Sequence, residues 1–363
     1  MKICIILGTR PEIIKMHSII KECEDRNLDF FIIHSGQHYS DNMDKIFFEG
    51  LELPQPEYML DVHVQGHGRQ TGLILQKVEQ VLLKEMPDIV LVEGDTNTVL
   101  AGALAAAKLH INVGHVEAGL RSFDRRMPEE VNRVLADHIS DLLFAPVLKA
   151  RDNLIREGIH DENIYVTGNT IVDAVYFIAG DKSSGQGNVS TNVSTIDNKD
   201  YFLLTLHRQE NVDNGERLKN IFNGLGLVYN KHKKPVIYPV HPRTGKMLRD
   251  FNITVPYGIK CVRPVGFSDF IKLQTNAGLI LTDSGGVQEE SCILQVPCVT
   301  LRDSTERPET LEVGSNILAG AEPERILECC SYMLSKENNW DNPFGDGKSG
   351  ARILDIIEGY YKA

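Results

Sequence analysis

Positive charge, patterned cysteine and long apolar runs are what this chain lacks. Lys and Arg number 38 against 50 Asp and Glu, a net charge of −12. A general nucleic-acid binder needs basic stripes to hold phosphate backbones, so that class is excluded, while a single local cationic pocket is not. Of the seven cysteines (Cys4, Cys23, Cys261, Cys292, Cys298, Cys329 and Cys330), none forms a C-x-x-C pair, and zinc-ligand spacing is absent. They read as small buried hydrophobes of a protein kept in a reducing compartment. No stretch approaches the roughly 18 apolar residues of a membrane span. The run Ile3–Leu7 is shorter than the about 7–15 residues of a signal-peptide core. The expectation is a cytoplasmic protein with neither membrane nor nucleic acid as partner, whose sequons at Asn188 and Asn192 stay unmodified.

Cofactor fingerprints are missing as well. Gly66-His-Gly68 would need a third glycine where Thr71 stands, and Gly224-Leu-Gly226 one where Tyr229 stands. Gly347-Lys-Ser349 resembles the end of a phosphate-binding loop, but Asn342 occupies the first glycine position and a loop, not a strand, precedes it. No ligand spacing for a metal accompanies the acidic residues, so the reading assigns neither cofactor nor metal.

What is present is ordinary globular composition: 363 residues, 42% hydrophobic and 24% charged. At about 150 residues per domain, two domains are expected. Apolar runs at Lys2–Leu7, Phe30–His34, Asp88–Val92 and Asn112–Val116 alternate with helical patterns, one opened by Pro11, one rich in alanine from Thr96, one opened by Pro128. Continuous rather than alternating apolar runs mark a parallel sheet covered on both faces. The stretch Ser183–Asn192 is small and polar and reads as a connection. The alternation then restarts at Tyr201–Thr205, Pro235–Val240, Gly278–Leu281 and Pro297–Leu301. The fold class is therefore α/β: two Rossmann-like doubly wound domains, about 1–170 and 171–347, with a cleft between them. A C-terminal helix over about 348–363 is expected to return to the first domain.

In such sheets ligands bind beyond the carboxyl ends of the strands. Here those ends carry Gly8-Thr-Arg10-Pro-Glu12-Ile-Ile-Lys15, Glu93-Gly-Asp95, His115-Val-Glu117, His207-Arg208, His241-Pro-Arg243 and Asp283-Ser284-Gly285-Gly286. Any one of these could be a turn or a cap; six at one edge imply a site. Ser284-Gly-Gly opening a helix suits an anion, because unpaired amides and the helix dipole face it. Arg10, Lys15 and Arg307 are candidates for phosphate oxygens. Asp95 and Glu117 end successive strands and Glu129 opens the next helix, which suggests proton transfer.

These motifs stand in a recognisable order. Gly8-Thr-Arg-Pro-Glu12, Ser35-Gly-Gln-His38, Gly94-Asp-Thr-Asn-Thr98, Glu117-Ala-Gly-Leu-Arg121, Pro128-Glu-Glu-Val-Asn-Arg133, His207-Arg-Gln-Glu-Asn211, Asp283-Ser-Gly-Gly-Val-Gln-Glu-Glu290 and Glu306-Arg-Pro-Glu309 together resemble the non-hydrolysing UDP-N-acetylglucosamine 2-epimerases. The resemblance runs from residue 8 to Gly345-Asp-Gly-Lys348. It implies a glycosyltransferase-B-like fold, a homodimer, no NAD or essential metal, and interconversion of UDP-GlcNAc and UDP-ManNAc by loss and re-addition of UDP across a glycal. It further implies catalytic roles for Asp95, Glu117, Glu129 and His207. Substrate contacts would fall to Arg10, Lys15, Arg133, Phe270, Ser284, Gly285, Gly286, Glu290 and Arg307, with Glu290 on the ribose and Phe270 on uracil. Which carboxylate removes the proton and which returns it stays open. In many bacterial relatives a second substrate molecule activates the enzyme. Gln37, His38, Arg69 and His241 are candidates to hold it, although Lys45 stands where glutamine is common. A hydrolysing epimerase, another two-domain UDP-sugar transferase and a non-catalytic nucleotide-sugar sensor are the rival readings.

Overall fold

A computed structural model describes residues 1–36, 48–180 and 199–362. Gln37, His38, Lys45 and the Ser183–Asn192 connection lie outside the described residues. The chain divides into two compact units, Met1–Ala174 with Phe344–Ala363, and Val175–Pro343.

In the first unit, Lys2–Leu7 (β1) is solvent-free from Ile3 onward, because apolar side chains on both faces meet helices. It pairs in parallel with Asp29–His34 (β2), and on its other side with Ile89–Glu93 (β4). Tyr58–Met59 (β3), Asn112–Val116 (β5), Leu142–Ala145 (β6) and Ile164–Val166 (β7) complete a seven-stranded sheet, ordered β3-β2-β1-β4-β5-β6-β7. The alanine-rich helix Asn97–Lys108 packs on this sheet so closely that a Cβ at Gly102 would lie 2.9 Å from Ile6 Cδ1. The C-terminal helix Ser349–Lys362 lies on the helix Arg10–Asp25. Arg26 reaches Asp355 at 2.7 Å, and a Cβ at Gly350 would press on Ser18.

The second unit repeats the plan. Phe202–Thr205 (β8), Val236–Pro239 (β9), Ile259–Val262 (β10), Leu279–Thr282 (β11), Cys298–Thr300 (β12) and Asn316–Leu318 (β13) run in the order β10-β9-β8-β11-β12-β13. Alternate residues feed two apolar layers: Leu204, Tyr238, Leu281 and Val299 on one face, Leu203, Ile237 and Ile280 on the other. Both sheets are doubly wound. The strand order reverses between β1 and β4 and between β8 and β11, and helices leave in opposite directions there, opening a crevice at the carboxyl ends. Among the described residues no helix is long and apolar enough to cross a membrane.

Candidate active site

At the first reversal point, Gly8 follows β1 because nothing larger fits. A Cβ there would lie 2.1 Å from Thr98 Oγ1 and 2.5 Å from Ser35 Oγ, two hydroxyls that bond each other at 2.8 Å. Thr9 then starts the helix Arg10–Asp25 in a capping box. The Glu12 carboxylate accepts the Gly8 and Thr9 amides at 2.5 and 3.1 Å and the Thr96 hydroxyl at 2.6 Å. Burial pushes Glu12 up to about 7 even against those donors. Three residues on, Lys15 Nζ stands 3.0 Å from Glu93 Oε1 and 2.5 Å from Glu117 Oε2. Glu93 closes β4 and is buried, which raises its pKa well above the usual carboxylate range; Lys15 opposes the rise, and Glu117 and Glu12 add to it.

Glu117 follows β5 with φ of +66°, a left-handed conformation that costs a residue other than glycine some strain. Asp95 follows β4 and pairs with Arg133 of the helix Pro128–His138. Arg133 also stands 3.2 Å from Glu130. Glu130 in turn accepts the Ser122 amide, the Ser122 hydroxyl and the Phe123 amide, each at 2.9 Å, and so ties down the loop that follows Glu117. Asn132 donates to the Asp95 carbonyl oxygen at 2.9 Å. Glu129, in the same helical turn as Glu130, is exposed.

Behind this row lies a buried ionic network. His115 has Nδ1 2.7 Å from Asp137 and Nε2 2.8 Å from the Gly94 carbonyl. Both partners are acceptors, so both ring nitrogens carry hydrogen and the ring is cationic. Burial alone would lower the His115 pKa; Asp137 and Gly94 outweigh it and raise it. Asp137 also takes Arg121 at 2.7 Å and the Gly119 amide at 3.2 Å. The network thus joins the residue before Asp95 to the turn after Glu117.

At the second reversal point the organiser is Asp283, fully buried after β11. Its carboxylate accepts the His207 amide at 3.0 Å, the Arg208 amide at 2.8 Å and Asn211 Nδ2 at 3.2 Å, which fixes the turn leaving β8. His207 Nε2 stands 4.0 Å from Asp283, and its ring lies 5.6 Å from that of His241. Burial lowers the His207 pKa, with Asp283 opposing and Arg208 and His241 reinforcing, so the ring is neutral at neutral pH. Ser284 begins the helix Gly285–Ile293 without spending its hydroxyl on a cap. Space is open at the first turn: a Cβ on Gly285 would meet only Glu306 Oε2 at 3.8 Å, and one on Gly286 only Glu290 Oε1 at 3.9 Å. Glu306 is held by Arg302 at 2.7 and 3.0 Å. Glu290 accepts Gln274 Nε2 at 2.5 Å, and burial pushes it up to about 7. A helix start with a hydroxyl and two glycines suits an anionic ligand.

Comparison with known proteins agrees with this geometry. The family model described as UDP-N-acetylglucosamine 2-epimerase matches residues 21–358. The chain belongs to the UDP-N-acetylglucosamine 2-epimerase family. It is 57% identical to the UDP-N-acetylglucosamine 2-epimerase of Methanocaldococcus jannaschii, over 98% of this chain and 99% of that one. The crystal structure of the M. jannaschii UDP-GlcNAc 2-epimerase in complex with UDP-GlcNAc and UDP matches with a TM-score of 0.86, covering 99% of each chain. The UDP-GlcNAc 2-epimerase from Neisseria meningitidis bound to UDP-GlcNAc matches with a TM-score of 0.89 at 32% identity, covering 99% of this chain and 100% of that one.

Within this member of the UDP-N-acetylglucosamine 2-epimerase family, the residues singled out from sequence fall into local groups. Asp95 meets Arg133, Glu117 meets Lys15, and His207 faces His241. Lys15 and Arg307, two candidates for phosphate, are each committed to a carboxylate; Arg307 Nε stands 2.6 Å from Glu289. Arg10 opens its helix half-buried, and Phe270 packs partly buried against the second unit's core. Arg69 is exposed on the helix His67–Glu85, and His241 caps the helix Pro242–Asp250. Sequence reasoning did not single out Glu93, Glu12, Asp137 and Gln274, which the structure sets beside Lys15, Thr96, His115 and Glu290. For Glu93 a signal existed, since an acid directly ending the run Ile89-Val-Leu-Val92 is buried whatever it does.

Proposed function

We propose that this protein interconverts UDP-GlcNAc and UDP-ManNAc without releasing free sugar. The observation that carries the reading is the cluster at the ends of β1, β4 and β5, where two acids expected to move protons, Asp95 and Glu117, are each held by a cation. The C2 hydrogen of the sugar is not beside a carbonyl, so direct deprotonation is too costly. Breaking the C1–O bond to UDP lends C1 oxocarbenium character and acidifies C2–H. Loss of the C2 proton and of UDP leaves a glycal; UDP then adds back at C1 while a proton reaches C2 from the opposite face. Two acid–base groups and a cradle for the departing diphosphate are what such a path requires. In this reading Asp95, Glu117 and Glu129 supply proton transfer, and His207 sits by the diphosphate. The Ser284 hydroxyl and the helix-start amides of Gly285 and Gly286 take phosphate oxygens together with Arg10, Arg133, Lys15 and Arg307. Glu290, steadied by Gln274, takes the ribose hydroxyls and Phe270 packs on uracil.

Product analysis of purified protein with UDP-GlcNAc tests this. The expected result is a mixture of the two UDP-sugars with no accumulation of UDP or free N-acetylmannosamine. Stoichiometric release of UDP with free sugar would assign a hydrolysing epimerase instead. Transfer to an acceptor would assign a transferase. The homodimer and the cytoplasmic location belong to the same proposal. So does activation by a second UDP-GlcNAc through Gln37, His38, Arg69 and His241. UDP-ManNAc turnover should then rise when UDP-GlcNAc is added; strictly hyperbolic, unstimulated kinetics would remove the activator site.

A further inference from the structure

In the loop after β12, the amide and the carbonyl of Arg307 both end on threonine hydroxyls. The Arg307 amide donates to Thr305 Oγ1 at 3.0 Å, and the Thr310 hydroxyl donates to the Arg307 carbonyl oxygen at 2.8 Å. Thr305 gives its own hydrogen to Gln288 Oε1 at 2.5 Å. Asn316, at the start of β13, donates from Nδ2 to the same Gln288 oxygen at 3.2 Å and to Thr310 Oγ1 at 3.1 Å. The circuit closes on Gln288: one arm runs from the Arg307 amide through Thr305, the other from the Arg307 carbonyl through Thr310 and Asn316. Each hydroxyl accepts once and donates once, and the Asn316 amide spends one N–H on each neighbour, so a single direction of bonding satisfies the whole ring. Asn316 Oδ1 accepts the Thr300 hydroxyl at 2.8 Å, which anchors the ring to β12. Gln288, Thr300 and Thr310 are fully buried and Asn316 nearly so. Water therefore cannot replace a lost partner there, and breaking one bond strands a buried polar group.

Gln288 belongs to the helix Gly285–Ile293, whose start at Ser284 is the anion candidate, and its neighbour Glu289 stands 2.6 Å from Arg307 Nε. The loop is thus tied to that helix twice, through the Arg307 backbone and through its side chain. We infer that Thr305, Gln288, Thr310 and Asn316 are positioning residues that hold Arg307 at a fixed offset from the Ser284 helix start. The guanidinium and the helix start then meet one diphosphate as a preformed pair, and binding does not spend affinity on ordering the loop. None of the four is assigned a ligand contact; their effect runs through Arg307. The consequence for binding rests on the proposed assignment of Arg307 and Ser284 to the diphosphate of UDP, whereas the hold on the Arg307 backbone does not.

Thr305 is the place to test this, because it is only partly buried and Gln288 keeps Asn316 as a donor when the hydroxyl is lost. Thr305→Val preserves the shape and deletes the hydroxyl; Thr305→Ser preserves the hydroxyl. Hydrogen exchange gives a readout without ligand: the Arg307 amide should lose protection in Thr305→Val and keep it in Thr305→Ser. Unchanged protection in the valine variant would overturn the inference whatever the affinities. Calorimetric titration of the intact protein with UDP gives the second readout. Thr305→Val should weaken UDP binding about five- to twentyfold, part of what a hydrogen bond to a charged group contributes, and Thr305→Ser by less than about twofold. In an Arg307→Ala background the valine substitution should add less than about twofold, because residues acting through one group are not additive. The same loss in both backgrounds would overturn the inference, as a threonine that only stabilises the unit predicts. So would a Thr305→Val protein that binds UDP like wild type while Arg307→Ala does not. Wild-type affinity in Arg307→Ala itself would remove Arg307 from the diphosphate site, a failure of that assignment that takes the positioning role with it.

Discussion

Asp95 and Glu117 each face a cation across an ion pair, so removing the charge while keeping the shape is the cleanest intervention. Asp95→Asn and Glu117→Gln are expected to lower kcat by about 10²–10⁴-fold, the usual contribution of a positioned acid or base. UDP affinity by calorimetry should stay within a few-fold, since the open helix start at Ser284 is untouched. Loss of UDP binding in a folded variant would contradict that division of labour. Gly8 is a structural counterpart at the same sheet edge. With a Cβ forced to 2.1 Å from Thr98 Oγ1, Gly8→Ala should destabilise by about 1–3 kcal/mol, as overpacking does, read as a lower urea midpoint. At this scale the sequence was informative about which residue types mattered but not about pairing. Lys15 and Arg307 look like phosphate ligands in a list of cations. Only the fold reveals that Glu93, Glu117 and Glu289 stand beside them.

The elements that carry the site were legible for a physical reason. β1, β2, β4 and β5 are central or near-central strands, buried on both faces, and their apolar runs are unbroken. The strands that escaped notice are β3, β6, β7, β10 and β13. All but β6 are edge strands whose burial is mixed, and each spans only two to four residues. Such strands exist because a neighbour offers hydrogen bonds, not because their own sequence demands extension. The buried network of His115, Asp137 and Arg121 belongs to this scale, because it joins β5, the helix Pro128–His138 and the turn at Gly119. Asp137→Asn takes the carboxylate from buried His115 and leaves Arg121 with Glu157 alone, and should cost about 3 kcal/mol or more. The pH dependence has a definite sign. The raised His115 pKa stabilises fully below about 6.5, its unfolded value, and that stability is lost as pH rises through the native pKa. Burial would raise Asp137, but His115 and Arg121 lower it, so its contribution is present above about 3.8 and lost as pH falls through the native value. Melting temperatures of wild type and Asp137→Asn should therefore differ most between those limits and less outside them, the Arg121 contact keeping part of the gap at alkaline pH; a constant gap across pH would refute the charged pair of His115 and Asp137.

For the whole molecule, the deficit of positive charge takes on a local meaning. A net charge of −12 describes the surface average. Buried or partly buried cations, Lys15, Arg121, Arg133, Arg302 and Arg307, lie toward the carboxyl ends of the two sheets, each beside acids that contribute to the excess. That average disfavours a polyanion, whereas one diphosphate needs only a local cradle. Two doubly wound units, each with its reversal point furnished with polar residues, were readable from the repeated strand-helix alternation and from motifs whose order spans the chain. Inversion of C2 by elimination and re-addition requires that solvent-exchangeable groups handle the proton. Epimerisation of UDP-GlcNAc in deuterated water, followed by proton NMR, tests it directly. The prediction is deuterium at C2 of both UDP-sugars with the bond to UDP retained at equilibrium. Epimer formation with the C2 hydrogen fully retained would contradict it.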